Sequence, residues 1–202
     1  YTADEFQFYL SDSDSKILLT SKQGSAPAQA AASKLNIPHV TVALPDADSD
    51  VALSSSLSQY ESDPEPDPNL SSKLINDPSD ISLFLHTSGT TSRPKGVPLT
   101  QLNLVSSVNN IKSVYRITES DSTVIVLPLF HVHGLLAGLL SSVGAGGAVT
   151  LPAAGRFSAS TFWSDMKNYN ATWYTAVPTI HQIILDRHLN SPEPVYPRLR
   201  FI

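Results

Sequence analysis

Cysteine is absent from all 202 residues of the chain, so it forms no disulfide bond and offers no thiolate metal ligand. This absence fits a reducing compartment. Basic residues are also few, with 13 lysines and arginines against 18 aspartates and glutamates and a formal net charge of −5. No stretch is strongly basic, so we expect no nucleic-acid partner.

Long uninterrupted hydrophobic runs are missing as well. The most apolar stretch, residues 134–143, carries no charge, but Gly138 and Ser141 interrupt it, which favours a buried helix over a membrane span. The first four residues lack the basic and apolar regions of a signal peptide. We therefore expect no membrane partner and a cytoplasmic location, or a peroxisomal one if a C-terminal targeting signal exists beyond Ile202.

The first 44 residues contain alternating helix and strand signals. Acidic and aromatic residues at helical spacing predict a helix over residues 4–12, with Thr2 as its N-cap. Apolar segments predict strands over 17–19 and 39–44, and the alanine-rich segment between them, residues 26–35, predicts a helix. A strand, a helix and a second strand in this order are typical of a parallel βαβ unit.

Residues 45–80 interrupt this alternation with serine, proline and acidic residues. Alternate prolines at 63–68 exclude a helix there, whereas the pattern at residues 53–60 predicts a short one. We interpret the whole segment as a solvated connector. The alternative interpretation is an acidic interaction tail.

From residue 81 to residue 202 the sequence alternates between strand and helix patterns. Thr100 is placed to cap one helix, and Pro178 is placed to begin another. The predicted strands cover residues 82–85, 122–127, 148–151 and 172–175, and the predicted helices cover residues 101–115, 134–143, 160–169 and 178–188. This order predicts a doubly wound α/β fold with helices on both faces of the sheet.

A loop rich in hydroxyl groups follows the first of these strands. Residues 87–92 are Thr-Ser-Gly-Thr-Thr-Ser, and the sequence continues Arg-Pro-Lys-Gly. Hydroxyls and backbone N–H groups around a glycine form a nest for anionic oxygens, and Lys95 adds a mobile positive charge. Gly89 and Lys95 match the spacing of a Walker A loop, but Pro94 and Gly96 break two of its fixed positions, which excludes an ordinary P-loop NTPase. The pattern favours polyphosphate binding over a solvated Ser/Thr turn.

Two histidines follow the strand predicted at residues 122–127. On a strand, the i, i+2 spacing of His131 and His133 would place both on one face, as in a metal site. No nearby carboxylate completes a ligand set, so we predict no metal there; the alternatives are a core histidine and a substrate-binding one. Because ligands bind beyond the carboxyl ends of parallel strands, we expect the loop at 87–92, His131 and Pro178 to converge on one sheet edge.

Three ordered motifs resemble one known family. The loop T-S-G-T-T-S-R-P-K-G is similar to the phosphate-loop signature of the adenylate-forming enzymes, which include acyl-CoA synthetases, luciferases and the adenylation domains of peptide synthetases. L-P-L-F-H-V-H-G at 127–134 and A-V-P-T at 176–179 resemble later motifs of that family.

One position departs from the family pattern. The family usually has glycine where this chain has Ser92. The motif S-G-T-T-S-R-P-K-G-V-P-L-T, which contains this serine, looks like the branch of oxalate–CoA ligases from plants and fungi. At Ser92 we expect an ordinary negative φ, or an added hydrogen bond from its hydroxyl.

The resemblance implies a two-step, ATP-dependent reaction. A carboxylate attacks the α-phosphorus of ATP, with Mg²⁺, to give an acyl-adenylate and diphosphate, and coenzyme A then displaces AMP; in the oxalate branch the product is oxalyl-CoA. It also implies Lys95 as a catalytic residue and an acyl-substrate pocket at His131, with His133 beside it. The ATP-binding residues that it implies are Thr87, Ser88, Gly89, Thr90, Thr91, Ser92, Lys95 and Gly96.

The resemblance implies further that residues 1–202 are an internal piece of one large AMP-binding domain. In this interpretation residues 1–44 form βα units, 45–80 form the connector, and 81–202 hold the loop and further βα units. The rest of its own chain, with a C-terminal domain, a ribose-binding aspartate and a second catalytic lysine, is then expected outside these residues.

Two alternatives remain open. The first keeps adenylation but changes the carboxylate or the acceptor, as in 4-coumarate–CoA and fatty-acid–CoA ligases or in carrier-protein adenylation domains. The second is a non-catalytic nucleotide-binding module.

Overall fold

The computed structural model describes residues 1–43, 52–55, 76–87 and 94–202. They fall into two compact units, the first made of Tyr1–Asp77 and Leu83–Pro98 and the second of Pro78–Ser82 and Leu99–Ile202. The α-helices are α1 (Ala3–Asp12), α2 (Ala26–Lys34), α3 (Gln101–Tyr115), α4 (Ser141–Val143), α5 (Phe162–Asn168) and α6 (Pro178–Asn190), with a π-helix at His133–Leu140 leading into α4. The strands are β1 (Leu18–Ser21), β2 (His39–Ala43), β3 (Ala52–Ser55), β4 (Ile81–Thr87), β5 (Lys95–Thr100), β6 (Ser122–Val124) and β7 (Ala148–Thr150).

The first unit begins with the predicted helix and βαβ arrangement. The Thr2 hydroxyl accepts from the backbone N–H of Glu5, whose side chain accepts from the Thr2 backbone in return, so a capping box starts α1. Strands β1 and β2 are parallel and are connected by α2, which confirms the βαβ prediction. A small core forms where Leu10 of α1 meets the buried alanines Ala31 and Ala32 of α2.

The second unit is built around a parallel sheet. Strands β6 and β7 pair in parallel, and the sheet continues through single parallel bridges from Thr123 to Trp173 and from Trp173 to Phe201. The spatial order is therefore β7, β6, Trp173, Phe201. The core beside this sheet contains Trp163 and Met166 of α5 and Ile184 of α6. The α/β fold class predicted from the sequence is confirmed.

Several element predictions were wrong in detail. Residues 52–55 are a strand that pairs antiparallel with β2, so the helix predicted near 53–60 is absent at its start; residues 56–60 lie outside the described part of the chain. Strand β5 is the next described element after β4 and pairs with it, which departs from the predicted alternation of strand and helix. The strand predicted at 172–175 is reduced to the bridge at Trp173.

The uncharged stretch at 134–143 is helical, as predicted, but most of it is a π-helix rather than an α-helix. Within the described residues, every helix is too short or too polar to cross a lipid bilayer.

Candidate functional site

The two described ends of the hydroxyl-rich loop belong to strands. Thr87 is the last residue of β4, and Lys95 is the first residue of β5; both side chains are exposed. Placing Lys95 and Gly96 in a loop was therefore wrong, because hydrogen bonding between β4 and β5 incorporates both into a two-stranded sheet. The loop residues Ser88, Gly89, Thr90, Thr91 and Ser92 lie outside the described residues, and so does the φ angle expected at Ser92.

Gly96 is required by a close approach of its neighbours. A Cβ atom at this position would lie 2.5 Å from Cζ of Phe84 and 2.8 Å from Oδ2 of Asp12. Its φ angle is not in the left-handed region, so the constraint on this position comes from the packed side chains of Phe84 and Asp12 and not from backbone conformation.

The close approach also fixes which way the neighbouring side chains point. Successive side chains of a strand alternate between its two faces. The side chain of His86 lies on the face of the β4–β5 pair that carries Phe84 and contacts Asp12. A Cβ atom on Gly96 would point to the same face. Their chain neighbours Thr87 and Lys95 consequently project from the opposite face.

His131 lies in the turn that follows β6, and its backbone N–H donates to the carbonyl of Pro128 at 3.2 Å. Its side chain is exposed, with its ring centroid 4.9 Å from that of Phe130. The core-histidine interpretation of His131 was therefore wrong. Gly134 lies against the carbonyl of Pro128, where a Cβ atom would sit 2.5 Å from the oxygen, so a side chain at position 134 would not fit beside this turn.

His133 is the first residue of the π-helix and is half-buried. Its Nε2 lies 2.8 Å from Oγ1 of Thr175, which precedes the A-V-P-T motif by one residue. The second motif thus contacts the residue that directly precedes the third. The prediction that His131 and His133 share one face of a strand was wrong, because a turn and a helix start separate them. No cluster of three potential metal ligands occurs within the described residues.

Two cavities of the second unit adjoin these residues. The smaller, about 150 Å³, is lined by His133, Thr175, Trp173 and Tyr174 together with Ile111, Tyr115, Ala137, Phe201 and Ile202. The larger, about 510 Å³, lies past β6 and β7 and is lined mainly by apolar side chains of 125–130 and 151–157, with Arg156 as its charged member. The small cavity combines polar groups from the π-helix and from the segment before α6, and the large one is chiefly apolar.

Comparison with known proteins gives the family. The model of the AMP-binding enzyme family matches residues 1–202. The chain belongs to the AMP-binding enzymes. It is 75% identical over 202 residues to oxalate–CoA ligase of Arabidopsis thaliana, of which it covers 38%, and 47% identical over 125 residues to oxalate–CoA ligase of Saccharomyces cerevisiae, a match covering 61% of this chain and 22% of that one.

A solved structure shares the fold. It is a malonyl-CoA ligase in a ternary product complex with methylmalonyl-CoA and AMP, with a TM-score of 0.71 and 28% identity, over 95% of this chain and 35% of that chain. The chain thus spans little more than a third of the length of the A. thaliana relative and of this structure.

The second unit also contains an ion pair, between Asp121 and Arg200, that no local sequence pattern predicts. Asp121 is buried before β6, and Arg200 donates to both of its oxygens, from Nε to Oδ1 at 2.9 Å and from Nη2 to Oδ2 at 2.8 Å. Arg200 also donates to the carbonyls of Tyr115 and Arg116 at the end of α3. The pair joins α3, β6 and the Phe201 bridge, and no spacing rule connects residues so far apart in sequence.

The environment of Asp121 shifts its acidity. Burial raises the pKa of the Asp121 carboxyl, but hydrogen bonds from Arg200, the Thr118 backbone N–H and the Thr172 hydroxyl outweigh that effect. The net result is a pKa below the ordinary value of 3.8. Asp121 is therefore a charged, fully bonded group that supports the strands behind the small cavity.

Proposed function

We propose that the full-length protein is an ATP-dependent acid–CoA ligase that converts oxalate, ATP and coenzyme A into oxalyl-CoA, AMP and diphosphate. The observation that carries this proposal is the 75% identity, over all 202 residues, to oxalate–CoA ligase of A. thaliana. The yeast protein of the same name, at 47% identity over 125 residues, supports the same substrate. In this proposal residues 1–202 are part of one large AMP-binding domain.

The reaction has two balanced steps. A carboxylate oxygen of the acid attacks the α-phosphorus of ATP, and the bond from that phosphorus to the bridging oxygen breaks, releasing diphosphate. The coenzyme A thiolate then attacks the acyl carbon, and AMP leaves. Phosphoryl-type transfer depends on positioning and on stabilising developing negative charge more than on covalent chemistry by the protein.

We assign the first step to the ends of the β4–β5 pair. The Thr87 hydroxyl and the Lys95 ammonium project from one face, both exposed, where they can contact the outer phosphates of ATP. Residues 88–92 and Gly96 complete the proposed ATP-binding segment. We expect Mg²⁺ to enter with the phosphates of ATP and to neutralise their charge, because nucleotide-bound Mg²⁺ needs few protein ligands.

We assign the acid to the small cavity beside His133. Its volume of about 150 Å³, against about 510 Å³ for the apolar cavity, suits a short acid better than a fatty acid. His133 and Thr175 line it with side chains that can donate hydrogen bonds to a second carboxylate. His131, at the exposed turn two residues earlier, is the second candidate for contact with the acid.

The test is acyl-CoA formation by the full-length protein with oxalate, malonate, acetate and a medium-chain fatty acid. We expect the highest kcat/KM with oxalate and CoA-dependent release of AMP. Malonate is the second candidate, favoured by the likeness to the malonyl-CoA ligase structure. A preference for the fatty acid would contradict the oxalate assignment, and ATP binding without AMP release would indicate a non-catalytic module.

We further propose a cytoplasmic location, which the absence of cysteine supports. Fractionation of cells expressing the full-length protein tests it, and enrichment with peroxisomes would contradict it.

A further inference from the structure

One histidine of the first unit has an elaborate environment that the proposed function does not use. Nε2 of His86 lies 2.9 Å from Oδ2 of Asp12, although 74 residues separate them in sequence. Three aromatic rings surround the imidazole, with centroids at 4.7 Å for Tyr9, 5.3 Å for Phe84 and 5.9 Å for Phe8. The His86 side chain is only 14% exposed, so its position is fixed by packing as well as by the hydrogen bond.

The same carboxylate reaches both strands that flank the phosphate loop. On β4 it contacts His86, which directly precedes Thr87. On β5 it lies against Gly96, which directly follows Lys95, since a Cβ there would come within 2.8 Å of its Oδ2. At each described end of the loop, Asp12 thus lies against the residue next to the end residue in the chain.

Helix stability does not explain why a carboxylate is placed there. Asp12 is the last residue of α1, where the negative end of the helix dipole disfavours an anion. No basic residue lies in the last turn of α1 to compensate it. Its side chain is 39% exposed, so solvent screens the carboxylate and reduces the electrostatic contribution of its bond to His86 to folding.

We propose that the Asp12–His86 pair is a positioning device for ATP, holding β4 and β5 so that Thr87 and Lys95 are presented together to the phosphates. The proposal rests on the proposed function, since it assigns ATP to these two side chains. Asp12 and His86 act through their neighbours and do not touch the nucleotide. A small displacement of Lys95 or Thr87 is sufficient to weaken phosphate contacts, because binding and reaction depend steeply on the placement of the charged groups.

The experiment compares three variants of the full-length protein with wild type, by diphosphate release at varied ATP and varied oxalate. Asp12→Ala removes the hydrogen bond, and Asp12→Asn keeps a hydrogen-bonding group of the same size. Asp14→Asn removes one negative charge two residues away, where asparagine tolerates the left-handed φ of 49°. We expect Asp12→Ala to raise the KM for ATP about tenfold and to leave the KM for oxalate within about twofold of wild type.

We expect Asp12→Asn and Asp14→Asn to stay within about twofold of wild type for both substrates. His86→Phe provides an independent variant, because phenylalanine keeps the aromatic packing and loses the hydrogen bond. It should raise the KM for ATP in the same way as Asp12→Ala, with little change in Tm.

Three results would overturn the positioning proposal: equal rises in both KM values, a loss of Tm without a change in the KM for ATP, or an Asp12→Asn variant as impaired as Asp12→Ala. Calorimetric titration with ATP separates this proposal from the proposed function. A wild-type protein that binds ATP but forms no oxalyl-CoA contradicts only the proposed function, and the variants then report through the Kd for ATP. A wild-type protein that binds no ATP contradicts both.

Discussion

The two units hold their candidate residues in different ways. In the first, Thr87 and Lys95 stand exposed at the ends of paired strands, and the bonded groups lie on the opposite face. In the second, His133 is half-buried and hydrogen-bonded to Thr175. An exposed lysine can follow a flexible polyphosphate as a point charge, whereas a small acid needs donors fixed before it arrives.

The carboxylates that support these residues differ too. Asp12 is partly exposed and makes a single described bond to His86, next to the loop. Asp121 is buried, and three different residues donate to it. We therefore expect changes at Asp12 to appear mainly in nucleotide binding and changes at Asp121 to appear mainly in stability.

The largest expected effect follows from removing Asp121. Asp121→Ala removes the acceptor shared by the Arg200 guanidinium and the Thr172 hydroxyl, which keep only their bonds to backbone carbonyls, and should lower the free energy of unfolding by about 3 kcal/mol. Urea-induced unfolding of the full-length protein measures it. Asp186→Ala is the control, since Asp186 is exposed and bonds only Gln182 through its side chain within the described residues. Equal stability of the two variants would show that the Asp121 network does not support the fold.

The same carboxylate predicts a dependence of stability on pH. Because the folded pKa of Asp121 is lowered, its contribution is complete above about pH 5 and declines as the pH falls below about 4 towards the folded pKa. Asp121→Asn has no carboxyl group to titrate at this position. Between pH 5 and pH 3 its free energy of unfolding should therefore fall less than that of wild type, and the difference should correspond to the pKa shift of Asp121. Parallel curves for the two proteins in urea unfolding would contradict the lowered pKa.

The next effect concerns chemistry in the first unit. Lys95→Ala removes the charge proposed to stabilise the outer phosphates and should lower kcat/KM for ATP about 100-fold in ATP–diphosphate exchange. Because Lys95 is exposed, the Tm should stay close to that of wild type. Lys22→Ala, which removes another exposed lysine of the same unit, serves as control. An exchange rate unchanged by Lys95→Ala would remove the phosphate assignment.

A smaller effect tests the close approach at Gly96. Gly96→Ala places a methyl group 2.5 Å from Cζ of Phe84 and should cost about 2 kcal/mol of stability. Combining it with Phe84→Leu, which withdraws the ring, should recover part of that loss, so the two changes are non-additive. Urea unfolding of the two single variants and the double variant measures the coupling; strictly additive losses would mean that strain at Gly96 has another source.

The sequence revealed elements whose signals are local. Three helices form as predicted, and each has a local start signal. Thr2 and Thr100 cap their helices with hydroxyls that accept from the backbone N–H three residues later, and Pro178 is the first residue of the third helix. Strands β3 and β5 escaped prediction: most of the short, serine-rich β3 lies in the segment predicted as a helix, and β5 contains Pro98, which is unusual inside a strand. Their strand conformation comes from pairing with β2 and β4, which is tertiary information.

The candidate site likewise combines residues that local motifs revealed with contacts between residues that are far apart in sequence. The loop motif, His131 and His133 stood out because their residues are contiguous or two apart. The bonds from His86 to Asp12 and from Arg200 to Asp121 join residues 74 and 79 positions apart, so no local pattern reveals them. His133 contacts Thr175, 42 positions away. The sequence predicted that the segments around these residues converge on one sheet edge, but it did not predict this contact.

The smallest expected effect distinguishes the two histidines of the second unit. His133 lines the small cavity and is bonded to Thr175, whereas His131 is exposed at the preceding turn. His133→Ala should therefore lower kcat/KM for oxalate about tenfold, the loss of one hydrogen bond to a charged group, and should affect acetate much less because acetate has no second carboxylate.

His131→Ala is the matched comparison, with the same side-chain truncation two residues earlier. We expect it to lower kcat/KM less than His133→Ala, and by similar factors for oxalate and acetate. The measurement is CoA-dependent AMP release with both acids in wild type and both variants. If His131→Ala instead showed the larger, oxalate-selective loss, the acid would bind at the exposed turn after β6, and the cavity beside His133 would have to be reassigned.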